Sequence, residues 1–159
     1  MTMRNSRPLM IAYASLFVLA GCSSDSVAPA ATIETTTFAP SLSVDLAAMT
    51  RTQAGVYRRD LVVGNGPVVA RSQTLDVRYT GWLANGNQFD SNPAPKPVFS
   101  FRLGSGQVIA GWDDGIEGMR VGGRRQLIIP PGLGYGSSGS GPIPANAVLV
   151  FVVEVVSAQ

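Results

Sequence analysis

VIAGWDDGIEGM, residues 108–119, is the stretch whose reading decides the fold. Ile109, Trp112, Ile116 and Met119 recur at steps of three, four and three, the spacing of one helix face. Asp113, Asp114 and Glu117 fall in or near the first turns, where unpaired backbone N–H groups favour negative charge. Gly111, Gly115 and Gly118 oppose the helix, by about 1 kcal/mol each relative to alanine. So short and glycine-rich a helix needs an apolar surface around it.

The flanking sequence supplies strands for that surface. On the C-terminal side RRQLIIP (124–130) is a short apolar strand, with Arg124-Arg125 read as its solvated end. A glycine- and proline-rich loop runs over 130–146, and AVLVFVVEVVSA (147–158) is rich in β-branched residues, as in a strand buried on both faces. On the N-terminal side VFSFRLG (98–104) alternates Phe99, Phe101 and Leu103, while QTLDVRYTGWL (73–83) sets Leu75, Val77 and Tyr79 on one face. Asn85-Gly86-Asn87 is a hairpin turn, and GVYRRDLVVGNGP (55–67) ends in another. Strands grouped around one short helix predict an α+β domain, an antiparallel sheet curled over the helix.

The first residues have a different character. Arg4 and Arg7 precede the apolar run LMIAYASLFVLA (9–20), the order of a secretory signal peptide and too short for a spanning helix of about 20 residues. The run closes in Leu19-Ala20-Gly21-Cys22, which resembles the bacterial lipobox, with lipid carried on Cys22. The alternatives are an ordinary signal peptide with a chance cysteine, or a buried free thiol. Ser23 and Ser24 follow with no aspartate directly after Cys22, which by resemblance to enteric lipoprotein sorting implies the outer membrane. Residues 22–50, rich in Ser, Thr, Ala and Pro, read as a flexible tether, with one amphipathic turn available in SVDLAAM (43–49). The expected organisation is a lipoprotein signal peptide over 1–21, a tether over 22–50 and a domain over 51–159.

Composition excludes several chemistries. There is no histidine and one cysteine, so a histidine-based nucleophilic triad, a Cys/His zinc cluster and an internal disulfide are all ruled out. The formal charge of +2 vanishes once Arg4 and Arg7 are set aside, leaving no signal for nucleic acid. Asp113-Asp114 reads as helix-start electrostatics rather than a metal or acid–base pair. GYGSSG (134–139) matches a dinucleotide-loop pattern, but Pro142 and Pro144 deny the helix that pattern requires.

Four blocks, VRYTGWLANGNQFDS, FSFRLGSGQVIAGWDDGIEGMRVGGRR, IIPPGLGYG and IPANAVLVFVVEVV, together resemble the FKBP-type peptidyl-prolyl isomerases from Gly55 to the C-terminus. The resemblance implies a five- to six-stranded antiparallel sheet around the helix. It also implies a proline pocket made by Tyr79, Phe89, Asp90, Phe99, Val108, Ile109, Trp112, Tyr135, Ile143 and Phe151. In it Trp112 is the floor, Tyr79, Phe99 and Phe151 the walls, and Tyr135 with the Ile109 N–H the donors to substrate carbonyls.

Two loops depart from the pattern. SNPAPKPV (91–98) lacks the arginine that often pairs with the aspartate and carries only Lys96; GSSGSGPI (136–143) is one residue shorter than in small members and lacks their histidine. The expected activity is X–Pro isomerisation on folding polypeptides at the cell envelope, open to macrolide inhibitors, with no cofactor, metal or nucleic acid. The rival reading is a non-catalytic chaperone or binding module using the same pocket.

Overall fold

The computed structural model describes residues 32–159; the expected signal peptide, Cys22 and the start of the expected tether lie outside the described residues. Strand β1 spans Thr50–Arg51, β2 Tyr57–Val62, β3 Thr74–Leu83, β4 Gln88–Ser91 and β5 Phe99–Arg102. Helix α1 covers Ala110–Ile116, and β6 (Arg124–Ile129) and β7 (Leu149–Ala158) follow it. The strands form one antiparallel sheet in the order β1-β2-β6-β7-β3-β4, with β5 paired to the first half of β3. Among the described residues the strand count is seven, because the two-residue β1 joins those expected.

One sheet face closes over the helix. Leu75 and Val77 of β3, Phe101 of β5, Leu127 and Ile129 of β6 and Phe151, Val153 and Val155 of β7 are buried with Trp112, Ile116 and Met119. Removing these side chains from water drives the assembly, at about 25 cal/mol per Å² of apolar surface. Helix α1 is shorter than 108–119: Ile109 is its extended N-cap, and Gly118 breaks away at φ 80°. The glycines inside it are there for proximity. A Cβ on Gly111 would run into the Ile129 side chain, and one on Gly115 would lie 2.8 Å from Leu127 Cδ2. Their cost in propensity is offset by a helix seated directly on β6.

The outer face corrects the tether reading. Residues 32–50 pack against the sheet rather than hanging from it: Ile33 and Leu42 are buried with Ile128, Val148 and Val150, beside Tyr57 and Trp82. The backbone is tied down by Ala39 N–H to Ala84 O at 2.8 Å, Gln126 Nε2 to Leu42 O at 2.7 Å and Arg59 Nη2 to Ser43 O at 2.9 Å. The physical reason lies in β6 and β7, whose outward Ile128 and Val150 are 0% exposed only because this strap covers them. The folded body therefore starts well before residue 51. The amphipathic turn within 43–49 is present as a 3-10 turn, Leu46–Ala48, capped by Asp45.

A second correction concerns Arg125. It is 6% exposed and paired with Asp60 at 2.6 Å, because alternation along β6 turns Arg124 outward and Arg125 toward the helix.

Candidate active site

A cleft of about 490 Å³ opens at the N-terminal end of α1. Trp112 lies at its base, 4% exposed, ringed by edge-on aromatics: Tyr79 at 5.0 Å and 79°, Phe151 at 5.3 Å and 85° between ring centroids and planes. Such T-shaped pairs place positive ring edges against negative faces and hold the rings in fixed relation. Phe99 stands 5.9 Å from Tyr79, and Phe89 meets Phe151 at 5.4 Å. Room for that last pair comes from Gly81 of β3, where a Cβ would lie 2.6 Å from the Phe151 ring and 2.8 Å from Phe89.

The polar groups divide their work. Tyr79 Oη donates to Asp90 Oδ2 at 2.7 Å, and Asp90 Oδ1 accepts from Ser91 N–H at 2.8 Å. Burial pushes the Tyr79 phenol well above its usual range, helped by the hydrogen bond to Asp90 and that carboxylate's charge. Burial likewise raises the Tyr135 phenol, with Asp90 adding to it. Tyr135 stands at the mouth, 37% exposed, and its hydroxyl has no partner among the described residues. The Ile109 carbonyl starts the helix by accepting from Trp112 N–H at 2.9 Å, while the Ile109 N–H has no acceptor among those residues. The cleft thus offers two unspent donors over an aromatic floor.

Nine of the ten residues expected at the site line the cleft: Tyr79, Phe89, Asp90, Phe99, Val108, Ile109, Trp112, Tyr135 and Phe151. Ile143 does not. It is 6% exposed and belongs to the main core. Gly106 and Gln107 line the cleft and were not anticipated; their only signal is adjacency to Val108. Asp113 holds that loop, its Oδ1 accepting from Gly104 N–H at 2.7 Å and its Oδ2 from Gly106 N–H at 3.2 Å. Asp114 instead accepts from Thr52 Oγ1 at 2.5 Å, so the adjacent carboxylates act separately. Among the described residues no three His, Cys, Asp or Glu side chains gather as metal ligands.

An antiparallel sheet curled over one short helix, with an aromatic cleft at the helix start, defines the FKBP-like class of domains. The comparisons agree: residues 66–156 match the family model of the FKBP-type peptidyl-prolyl cis-trans isomerases, and the chain belongs to that family. It is 54% identical over 100 residues to FK506-binding protein 4 of Gibberella zeae, covering 63% of this chain and 20% of that protein. It is 46% identical over 105 residues to a peptidyl-prolyl cis-trans isomerase of Saccharomyces cerevisiae, covering 66% of this chain and 25% of that one. The chain thus spans about a quarter or less of these relatives' lengths. Among solved structures, FkpA from Escherichia coli superposes with a TM-score of 0.65 at 35% identity, over 70% of this chain and 52% of that one.

Proposed function

We propose that this protein accelerates cis–trans isomerisation of X–Pro bonds in polypeptides by holding the proline over Trp112. The observation that carries the reading is the aromatic cleft itself: a buried indole floor, edge-on walls and unspent donors at Ile109 N–H and Tyr135 Oη. Rotation about the amide is opposed by about 18–20 kcal/mol because conjugation is lost at the twisted geometry. No bond must break. A twisted amide has a less polar carbonyl and a pyramidal nitrogen, so an apolar cleft favours it over the planar ground state. The two donors steady the flanking carbonyls while the rings exclude water. Each 1.36 kcal/mol of preference for the twisted form gives about tenfold in rate. The phenols stay protonated throughout, so no proton need move. Relatives bear the name FK506-binding protein, and a macrolide of that kind is the inhibitor we expect to compete for this cleft.

The proposal extends to location. The positively charged start, the apolar run and Leu19-Ala20-Gly21-Cys22 support removal of residues 1–21 and lipid on Cys22, placing the domain at the bacterial outer membrane facing the periplasm. Folding envelope polypeptides would then be its substrates. The test is addition of purified protein to a proline peptide, followed by exchange spectroscopy. Isomerisation faster than the uncatalysed rate, and suppressed by the macrolide, supports the reading. An uncatalysed rate from folded protein overturns it in favour of a binding module.

A further inference from the structure

Strand β6 runs beneath α1 along its odd-numbered residues. Ile129 packs against Gly111, and Leu127 against Gly115. The next position, Arg125, reaches the carbonyls at the helix end: Nη1 donates to Gly115 O at 2.9 Å and to Glu117 O at 3.3 Å. The other edge of the guanidinium is clamped by Asp60, with Nε to Oδ1 at 2.6 Å and Nη2 to Oδ2 at 3.1 Å. Arg58 Nη1 adds a second donor to Glu117 O at 3.1 Å. Carbonyls at a helix end lack intrahelical partners, so this arginine satisfies groups that would otherwise be buried unpaired.

The three contacts differ in kind. The glycine seats are van der Waals surfaces, which set how closely α1 approaches β6 but resist sliding only weakly. A planar guanidinium fixed by a bidentate carboxylate is directional, and sets register and rotation. That matters for Trp112, one residue beyond the Gly111 seat. Its indole Nε1–H is buried and has no partner among the described residues, so no hydrogen bond of its own orients the ring. The indole is held by neighbouring rings and by the place of α1.

We propose that Arg125, clamped by Asp60, is a positioning residue: by fixing the register of α1 on β6 it sets the height and tilt of the Trp112 floor. Arg125 is not part of the cleft lining, so it acts through the helix. The proposal rests on the isomerase reading for its effect on rate, and on geometry alone for its effect on the indole.

The experiment uses the full chain carrying Cys22→Ser and Trp82→Phe, which leaves Trp112 as the one tryptophan. In this background the indole N–H resonance and kcat/KM on a proline peptide are compared for Arg125→Met, Arg125→Lys, Asp60→Asn and Ile128→Ala. Ile128 lies in the outer core, away from α1, and Ile128→Ala controls for lost stability. Arg125→Met should shift the indole resonance and lower kcat/KM by about tenfold or more, as expected for a misplaced floor. Arg125→Lys should recover part of both, and Asp60→Asn should move both in the same direction by less. Ile128→Ala should change neither, well below its unfolding midpoint.

An unshifted resonance in folded Arg125→Met overturns the proposal, as does an equal loss in Ile128→Ala. If Arg125→Met does not fold, Asp60→Asn decides in the same way. If the starting chain shows no isomerase activity, the proposed function fails while the indole resonance still decides the role of Arg125.

Discussion

The hydroxyl of Tyr79 donates to Asp90 across the cleft wall at 2.7 Å, which leaves Tyr135 as the phenol free to meet a substrate. Tyr79→Phe keeps the ring against Trp112 and removes only this bond. Because Asp90 is exposed, water replaces the lost donor, and the cost should be about 0.5–1.5 kcal/mol by urea denaturation. Tyr135→Phe, which removes an unspent donor, should lower kcat/KM more than Tyr79→Phe does. The reverse order would reassign the substrate donor.

Both phenols are raised, and the sign of that shift fixes the pH behaviour. A raised value means the neutral form persists to higher pH, so neither side chain changes charge across the physiological range. With no histidine in the chain, kcat/KM should be level between about pH 6 and 9 on a peptide without ionisable groups there. Stability should behave differently. Above about pH 10 an unfolded tyrosine loses its proton while the folded one keeps it, so the midpoint should fall as pH rises. A bell-shaped kcat/KM profile near neutrality would mean that a proton moves in the reaction.

The strap over the outer sheet face predicts a separation of stability from activity. Leu42→Ala should lower stability by about 2–5 kcal/mol, the range for a buried leucine. Deletion of residues 1–49 should cost more, since it uncovers Ile128, Val148 and Val150 together. In both, kcat/KM measured well below the midpoint should match the full chain, because the cleft lies on the other face. Calorimetry and the peptide assay check the two halves; an undiminished midpoint in the deletion would return these residues to the role of a tether.

What the sequence revealed and concealed follows from range. The helix face of Trp112, Ile116 and Met119 and the alternation of Leu75, Val77 and Tyr79 are periodic, and periodicity reports which side is buried. It does not say whether a buried residue lines an opening or lies behind one, so nothing in the pattern separates Ile143 from the lining residues or points to Gly106 and Gln107. Arg125 looked solvated because its partner, Asp60, stands 65 residues away on another strand. In the strap, few apolar anchors, Ile33 and Leu42 chief among them, are scattered through small polar residues, so composition hid a packed segment. Long-range pairing, rather than local pattern, decided each of these cases.

Trp112 is the residue on which the proposed mechanism depends: a dry aromatic floor that turns over the X–Pro amide without acid–base chemistry. Trp112→Ala would lose about 3–5 kcal/mol of stability and confuse folding with function. Trp112→Leu retains much of the volume and is the fairer test. The decisive measurement is kcat/KM for X–Pro isomerisation by Trp112→Leu against the unaltered chain, with calorimetry to show that both are folded. The expected result is a folded protein whose kcat/KM falls by about tenfold or more, the equivalent of at least one 1.36 kcal/mol step of lost preference for the twisted amide. Unaltered kcat/KM in folded Trp112→Leu would contradict it.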